Sequence, residues 1–379
     1  MNKLLVISNT AFSIEKFREH YLSKIDNYNF KIFTPSKKVS LKKKYKNIEV
    51  YKFNSKNLYD DFKKIYFILK KNNPSKIIVY SYKFQFIVSV LKKFFKFNYE
   101  IISLIAGRGS LQLGNFFERN LFNLIIKLIV NSSDTIICIN PEDKNFFSKF
   151  SKKKDKVFLL PTEGVEKLAL KRKANKKKNF IFFGRLINEK GIREYIKVAK
   201  ILKNKYPEKK FYIAGPTDQN IIGQSKFSKS TIDLINNNKN SVKYLGYINN
   251  FKKIFPKMDC LVSPSYSEGA GTSVMEAMLS GLYVVAYNNS GHNYVLSNTQ
   301  NKITEHNTVD NLLKKIEQFI NLKEREIDKS RNKSYNKIIS NFSSEIVSNK
   351  FSKILNRQYG TINKSVDVIW PYYKDKKFL

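Results

Sequence analysis

Short apolar segments alternate with longer amphipathic segments along nearly all of the 379 residues of this chain. The short segments are rich in Ile, Val and Phe, which is typical of buried strands, and the longer ones repeat apolar residues at helical spacing. Strands separated by helices need crossover connections, so the pattern predicts open parallel sheets with helices on both faces. We predict strands at 3–8, 30–33, 48–53, 76–81, 100–105, 135–139, 157–160, 180–183, 210–214, 242–247, 260–263 and 283–287, with helices between them and helical structure from 308 to about 355.

A lysine-rich stretch at residues 166–178 interrupts this alternation. A run of like charge cannot pack into a core, so we predict a surface linker there. It separates a Rossmann-like N-terminal domain, 1–165, from a second Rossmann-like domain, 179–355. Parallel sheets of this kind bind ligands at the carboxyl ends of their strands, so we expect the two doubly wound domains to face each other across a cleft that holds the site.

Residues 356–379 form an aromatic and basic tail. We consider three structures for it: a strap packed back on the N-terminal domain, an anchor at a membrane surface, and a disordered segment.

The formal net charge is +39, from 70 basic and 31 acidic residues, and only nine of the basic residues are Arg. Proteins that read nucleic-acid bases favour the forked guanidinium of Arg, so we do not expect a nucleic-acid partner. The lysines are spread along the chain with many Asn, Ile and Phe, which an AT-rich genome would produce by itself. Attraction to an anionic membrane surface or to phosphorylated substrates is a second explanation, and both can hold.

The chain has no stretch of about 18 uncharged apolar residues, so we expect no membrane span. Its first apolar segment is too short for a signal peptide, and we expect a cytoplasmic protein, with peripheral contact at the cytoplasmic face of the inner membrane as an option. Cys138 and Cys260 lie in separate strand-like segments, which favours buried reduced thiols over a disulfide.

Two cations follow the predicted strand at 180–183. Gly184 and Arg185 come directly after this strand, and Lys190 precedes the next helix. Both cations would therefore lie on one loop at a carboxyl strand end, which suits an anionic ligand such as a diphosphate. Taken alone, the pattern is weak and is better explained by two solvated side chains.

A second glycine-containing turn follows the predicted strand at 260–263. Gly269 and Gly271 allow a tight turn, and Thr272 or Ser273 can cap the helix that follows. The unpaired N–H groups at such a helix start attract anions.

Two carboxylates flank this turn, Glu268 just before it and Glu276 inside the following helix. A carboxylate beside a phosphate site repels the ligand unless it has another task, such as accepting hydrogen bonds from sugar hydroxyls. Glu276 taken alone also fits an ordinary exposed helix residue.

In this order and spacing, the motifs resemble the nucleotide-binding half of the retaining glycosyltransferases of the GT-B fold, family four. The resemblance covers about residues 179–296. It is carried by Gly184-Arg185, Glu189-Lys190-Gly191, Ala214-Gly215, Leu245-Gly246, Glu268-x₇-Glu276 and Ala277-Met278-x-x-Gly281.

The resemblance implies roles for these residues. Arg185 and Lys190 would hold the donor diphosphate, and Glu268 would contact the donor sugar, so these three are the catalytic candidates. Glu276 would bind the ribose. The remaining donor contacts would come from the backbone near Gly184, Gly269, Gly271, Thr272 and Ser273. No metal and no other cofactor is expected, because the chain lacks an Asp-x-Asp motif between a strand and a loop and two cations would replace Mg²⁺.

The first half matches this family more loosely. Ser13 lies in the segment after the first strand, and Gly107, Arg108 and Gly109 resemble the G-x-G-S turn of relatives that build O-antigen, capsule or lipid-linked oligosaccharide. These four are acceptor-side candidates, with a surface salt bridge as an equal alternative for Arg108. Ala106 stands where many members carry His or Glu, so no general base is evident.

The resemblance thus predicts a retaining glycosyltransferase that moves a hexose or N-acetylhexosamine from a nucleotide-diphospho sugar, such as a UDP sugar, to a lipid-linked or surface-polysaccharide acceptor. One alternative is a UDP-sugar 2-epimerase of the same fold, although the expected His- and Asp-rich cleft is absent. Another is a catalytically inactive GT-B binding subunit, which the missing base permits.

Overall fold

The structure is a computed structural model that describes residues 2–9, 13–14, 18–25, 27–34, 48–52, 57–108, 115–168, 178–216, 229–248 and 250–356. Gly109, most of the predicted linker and the tail from 357 onward lie outside the described residues.

The first domain is built on a sheet of seven parallel strands. Their order across the sheet is β3-β2-β1-β4-β5-β6-β7, so the direction of winding reverses between β1 and β4. The strands are β1 (Asn2–Ile7), β2 (Tyr28–Thr34), β3 (Ile48–Lys52), β4 (Lys76–Tyr80), β5 (Glu100–Ile105), β6 (Thr135–Cys138) and β7 (Val157–Leu159).

Both faces of this sheet are buried. Along β1, Leu4 and Val6 join one hydrophobic cluster, and Leu5 and Ile7 join another on the opposite face. Successive side chains of a strand point to opposite faces of the sheet. A parallel sheet that is covered on both faces therefore needs apolar residues at every position of the strand. The helices of this part of the chain are α1 (Glu19–Leu22), α2 (Leu58–Asn72), α3 (Tyr82–Phe95), α4 (Phe116–Ser132) and α5 (Pro141–Ser148).

The second domain contains six parallel strands in the order β10-β9-β8-β11-β12-β13. Here the winding reverses between β8 and β11. The strands are β8 (Asn179–Phe183), β9 (Lys210–Ala214), β10 (Lys243–Tyr244), β11 (Cys260–Ser263), β12 (Tyr283–Ala286) and β13 (Lys302–Ile303). The later helices are α6 (Ile192–Lys205), α7 (Lys229–Asn236), α8 (Thr272–Leu279), α9 (Ser290–Leu296), α10 (Val309–Ile320), α11 (Glu324–Phe342) and α12 (Ser344–Leu355).

The last helix, α12, packs on the first domain, although the predicted boundary at residue 355 groups it with the second. Phe351 meets Tyr21 edge to face with ring centroids 5.3 Å apart, and the Tyr28 hydroxyl donates to Asn356 at 2.7 Å. The chain reaches this position by breaking the predicted continuous helix at Ser343, which is extended. Burial of the apolar face of α12 against α1 stabilises this return crossing.

Cys138 and Cys260 are free and buried, as predicted. Among the described residues, no helix combines the length and the apolar character needed to cross a bilayer.

Candidate functional site

Two loops lie together where the winding of the second sheet reverses, which is where open α/β sheets bind ligands. One loop follows β8 and the other follows β11, and these strands are neighbours. The Tyr266 N–H donates to the Glu189 carbonyl at 3.0 Å, and the Ser265 hydroxyl donates to the same oxygen at 3.3 Å. The predicted cation loop and the predicted glycine turn therefore form one packed structure.

Gly191 makes this close approach feasible. Its φ is +74°, and a Cβ added there would lie 2.0 Å from the carbonyl oxygen of Pro264. Any other residue would be both strained and in collision with the opposite loop. The glycine ends the 3₁₀ turn Asn188–Lys190 and holds Lys190 against the loop after β11.

Lys190 and Glu268 form an ion pair across the two loops, with 2.5 Å between Nζ and Oε1. Both side chains are largely buried, with exposed fractions of 20% and 15%. Burial raises the pKa of Glu268, but the Lys190 ammonium outweighs this effect and holds the pKa below its usual value. Glu268 is thus a fixed carboxylate over the ordinary pH range.

Arg185 projects from the same loop, directly after Gly184. Its side chain is exposed and has no ion-pair partner in the part of the chain that the structure describes. The Arg185 guanidinium beside the Lys190–Glu268 pair is therefore a cation that can bind an anionic ligand.

The start of α8 supplies backbone donors at the same place. Gly271 is the N-cap with φ +65° and ψ +67°, and no side chain caps this helix. The first N–H groups of a helix, here those of Thr272 and Ser273, have no intrahelical acceptor. The predicted capping by Thr272 or Ser273 is wrong, because the helix begins at Thr272 itself. Glu276 lies on the second turn of α8 and is half-buried.

His292 lies under the turn before α8 and is fully buried in α9. Its Nδ1–H donates to the Tyr287 carbonyl at 2.8 Å, which leaves Nε2 to accept from the Ser263 hydroxyl at 3.2 Å. Burial lowers the pKa of His292 below 6.5, and the opposing effect of the Glu268 carboxylate is smaller. The ring is therefore neutral at pH 7.

This buried imidazole predicts acid-sensitive folding. Because the pKa of His292 is lower in the folded protein than in the unfolded chain, unfolding takes up a proton at mildly acidic pH, and stability falls as the pH drops below about 6.5. The slope from this one group is at most about 1.4 kcal/mol per pH unit. Urea unfolding between about pH 7.5 and pH 5.5 should show a smaller loss for His292→Asn than for the wild type. His306→Asn is the control, since His306 is exposed; an unchanged slope in His292→Asn would contradict the assignment.

The first domain contacts this site through the turns after β5 and β6. The Asn140 side-chain amide donates to the Gly269 carbonyl at 2.8 Å. A Cβ at Gly269 would lie 2.6 Å from the Ala106 carbonyl oxygen, and one at Gly107 would lie 3.4 Å from the Gly269 backbone. The carboxyl edges of the two sheets therefore face each other and touch at Gly269.

Arg108 is engaged by two carboxylates of α5. Its Nε donates to Asp143 at 2.8 Å, its Nη2 lies 2.5 Å from Glu142, and its guanidinium covers the Phe146 ring at 4.9 Å. The salt bridge offered as the alternative for this residue is present.

Ser13 lies at the start of the segment that leads to α1. Its hydroxyl is 3.1 Å from that of Ser8, and its carbonyl accepts from Arg18 at 3.1 Å. The same Arg18 side chain forms a buried ion pair with Glu163 and stacks over the Tyr80 ring at 4.2 Å. This cluster lies at the point where the first sheet reverses its winding.

Sequence reasoning missed Asn140, the Arg18–Glu163 pair and the buried position of His292. One signal was available for Asn140, since Asn-Pro at 140–141 directly after a strand is a typical helix start. Nothing in the local sequence pairs Arg18 with Glu163, because the two are separated by 145 residues.

Residues 166–339 match the model of a protein family described as glycosyl transferases group 1. The N,N'-diacetylbacillosaminyl-diphospho-undecaprenol alpha-1,3-N-acetylgalactosaminyltransferase of Campylobacter jejuni is 26% identical over 215 residues, 52% of this chain and 54% of that protein. The chain thus aligns with only about half the length of this curated relative.

Two solved structures share the whole architecture. Sucrose-phosphate synthase from Thermosynechococcus elongatus superposes with a TM-score of 0.78 at 12% identity over 96% of this chain and 100% of the other. Anabaena HepE in complex with UDP-glucose gives a TM-score of 0.74 at 15% identity over 94% and 100%. These similarities and the two facing parallel sheets confirm the predicted GT-B fold class.

Proposed function

We propose that this chain transfers a hexose or N-acetylhexosamine from a nucleotide-diphospho sugar to a lipid-linked or surface-polysaccharide acceptor, since residues 166–339 match the model of the group 1 glycosyl transferases. The observation that carries the proposal is the Lys190–Glu268 pair at 2.5 Å beside the exposed Arg185. Cations, a fixed carboxylate and the uncapped start of α8 are the groups that bind a pyrophosphate next to a sugar. Anabaena HepE binds UDP-glucose, which supports a UDP sugar as the donor.

In this proposal the positive groups stabilise the leaving nucleoside diphosphate. Arg185 and the amides of Thr272 and Ser273 hold the pyrophosphate, and Lys190 is placed to offset the negative charge that grows as the sugar–phosphate bond breaks. Preorganised charges of this kind are usually the largest single contribution to catalysis. Glu268, whose carboxylate Lys190 holds in place, accepts hydrogen bonds from the donor sugar.

We propose attack from the face that the diphosphate leaves, which retains the configuration at the anomeric carbon. The acceptor oxygen forms a bond to the anomeric carbon while the bond between that carbon and the diphosphate oxygen breaks. The departing phosphate takes the proton of the acceptor hydroxyl. No side-chain base is needed for this step. Its support is that Ala106 has no titratable group and that both ring nitrogens of His292 are already hydrogen-bonded.

On the acceptor side we propose that the turn at Gly107–Gly109 and the segment at Ser13 approach the acceptor. Arg108 would contact an acceptor phosphate only by leaving Glu142 or Asp143. The Campylobacter relative is named for a diphospho-undecaprenol-linked acceptor, and the high positive charge of this chain suits the anionic membrane where such carriers reside.

The test is a transfer assay with the purified protein, a panel of UDP sugars and a polyprenyl-diphosphate-linked saccharide. We expect acceptor-dependent release of UDP and a product one sugar larger. Isomerised UDP sugar without acceptor would instead indicate the 2-epimerase, and donor binding without any turnover would indicate an inactive binding subunit. Either result would contradict the proposal.

Replacing Glu276 by alanine should weaken donor binding about tenfold, because it removes a charged hydrogen-bond acceptor from the proposed ribose site. Isothermal titration with the UDP sugar measures this change. The control is Glu317→Ala on α10, whose side chain pairs with Lys205 at the surface. Unchanged donor affinity in Glu276→Ala would remove the role assigned to this residue.

A further inference from the structure

Helix α4 is apolar on two opposite faces. Its inner face is formed by Phe122, Ile126, Ile129 and Val130, all of which are buried against the first sheet. A helix that packs against the core on one side needs one apolar face, and the face toward solvent is normally polar. The outer face of α4 departs from this pattern.

The outer face carries a continuous apolar stripe, which we define as Phe117, Leu121, Leu124 and Leu128. Their spacing of four, three and four residues places them in one row, opposite the inner face. The exposed fractions are 84% for Phe117, 56% for Leu121 and 66% for Leu124. Phe116 adds 72% beside the start of the row. A contiguous exposed apolar surface of this kind marks an interaction site.

The helix that carries the stripe and the domain around it are basic. Arg119 and Lys127 are exposed on this helix, and its one acidic residue is the exposed Glu118. Residues 1–165 together contain 31 basic and 13 acidic residues. The partner of this surface must therefore combine an apolar layer with negative charge.

We propose that the α4 stripe binds the interfacial layer of an anionic lipid bilayer, with the helix lying in the plane of the membrane. Apolar side chains enter the acyl boundary while basic side chains contact the lipid headgroups, as in amphipathic interfacial helices. A second copy of this chain fits the surface less well, because each copy carries a formal charge of +39 and the copies repel each other.

The stripe begins near the candidate site. Helix α4 follows β5, so its first residues, Phe116 and Phe117, start from the carboxyl edge where Gly107 meets Gly269. A bilayer bound along α4 would thus lie beside the acceptor side of the site. This last point rests on the proposed function, whereas membrane binding itself does not.

The experiment is flotation of the full chain with vesicles of phosphatidylcholine alone and of phosphatidylcholine with phosphatidylglycerol. We expect the wild type to float with the anionic vesicles, and Phe117→Asp/Leu121→Asp to bind them at least about tenfold more weakly. The matched control is Ile201→Asp/Ile232→Asp, which makes the same charge change at two exposed residues of the second domain. It should bind nearly as well as the wild type.

A second experiment avoids aspartate, which could destabilise the fold. In a Trp370→Phe background, Phe117→Trp should show a blue-shifted emission with anionic vesicles, whereas Ile201→Trp should not. The proposal is overturned if the wild type does not bind, if both aspartate pairs lose binding equally, or if sedimentation shows that the stripe variants change the oligomeric state and not vesicle binding. UDP release with a water-soluble acceptor is a separate readout, so failure of the proposed function leaves the vesicle result standing.

Discussion

Replacing Lys190 by alanine should lower the turnover number for sugar transfer by about 10²- to 10³-fold, with a much smaller effect on donor affinity. The ammonium group is held by Gly191 and Glu268 before the reaction begins, so it stabilises the charge of the leaving diphosphate without reorganisation. Steady-state kinetics with the UDP sugar and acceptor at saturation measure the change. Loss of turnover with a nearly constant donor KM would identify an interaction made mainly in the transition state.

The control is Lys200→Ala, which removes the same charge from an exposed position on α6, ten residues further along the chain. It should leave the rate within about twofold of the wild type, because an exposed charge outside the site is screened by solvent. A near-wild-type rate for Lys190→Ala would make this residue a surface charge and would remove the basis of the proposed mechanism.

Replacing Gly269 by alanine should reduce transfer about 100-fold or more through the backbone alone. The added Cβ would lie 2.6 Å from the Ala106 carbonyl oxygen and 2.8 Å from Ile139 Cδ1, both in the other domain. The backbone on one side of this contact must shift to relieve it, and a shift of about 1 Å between reacting groups can cost 10²-fold in rate. Steady-state kinetics measure the loss of transfer, and we also expect a lower melting temperature.

Gly184→Ala is the matched comparison for the melting temperature, since a Cβ there would have nothing within 4 Å. Its melting temperature should match that of the wild type. If Gly269→Ala melts like Gly184→Ala, the contact at Gly269 does not constrain the spacing of the domains.

The layered architecture could be predicted from the sequence because short apolar segments and apolar residues at helical spacing are both local signals. Eleven of the twelve predicted strands lie within a residue or two of observed strands, since each is a short apolar run between polar segments. The exception is the segment at 242–247, of which only Lys243–Tyr244 pairs with a neighbour. The short strand Lys302–Ile303 was missed, because two residues carry no periodicity.

Helix ends were less predictable where tertiary contacts decide them. The helix predicted between the first two strands is represented among the described residues by Glu19–Leu22 and by helical residues at 13 and 14. The region after 308 is helical as predicted, yet it breaks at Asn321–Lys323 and at Ser343. The second break positions α12 on the first domain, a contact with residues more than 300 positions earlier.

The donor half of the candidate site could be predicted in detail because loops after neighbouring parallel strands meet at one edge. That rule alone brings Lys190 and Glu268 together, although 78 residues separate them. In the first domain only Ser13 and the turn at 107–109 were indicated, and neither predicted the contacts with Gly269. Asn140 and Ala106 act on Gly269 through a backbone oxygen and a steric contact, and neither leaves a pattern in the sequence.

The polypeptide passes between the domains twice, and the two passages are bonded to each other. The Val165 N–H donates to the Phe342 carbonyl at 3.0 Å, and the Ser344 N–H donates to the Val165 carbonyl at 2.9 Å. Two adjacent backbone segments resist shear and twist, while they still bend together about the line on which they lie. We therefore expect the halves to move mainly by rotation about this line, which would carry Arg185 and Gly107 apart and back together along one arc.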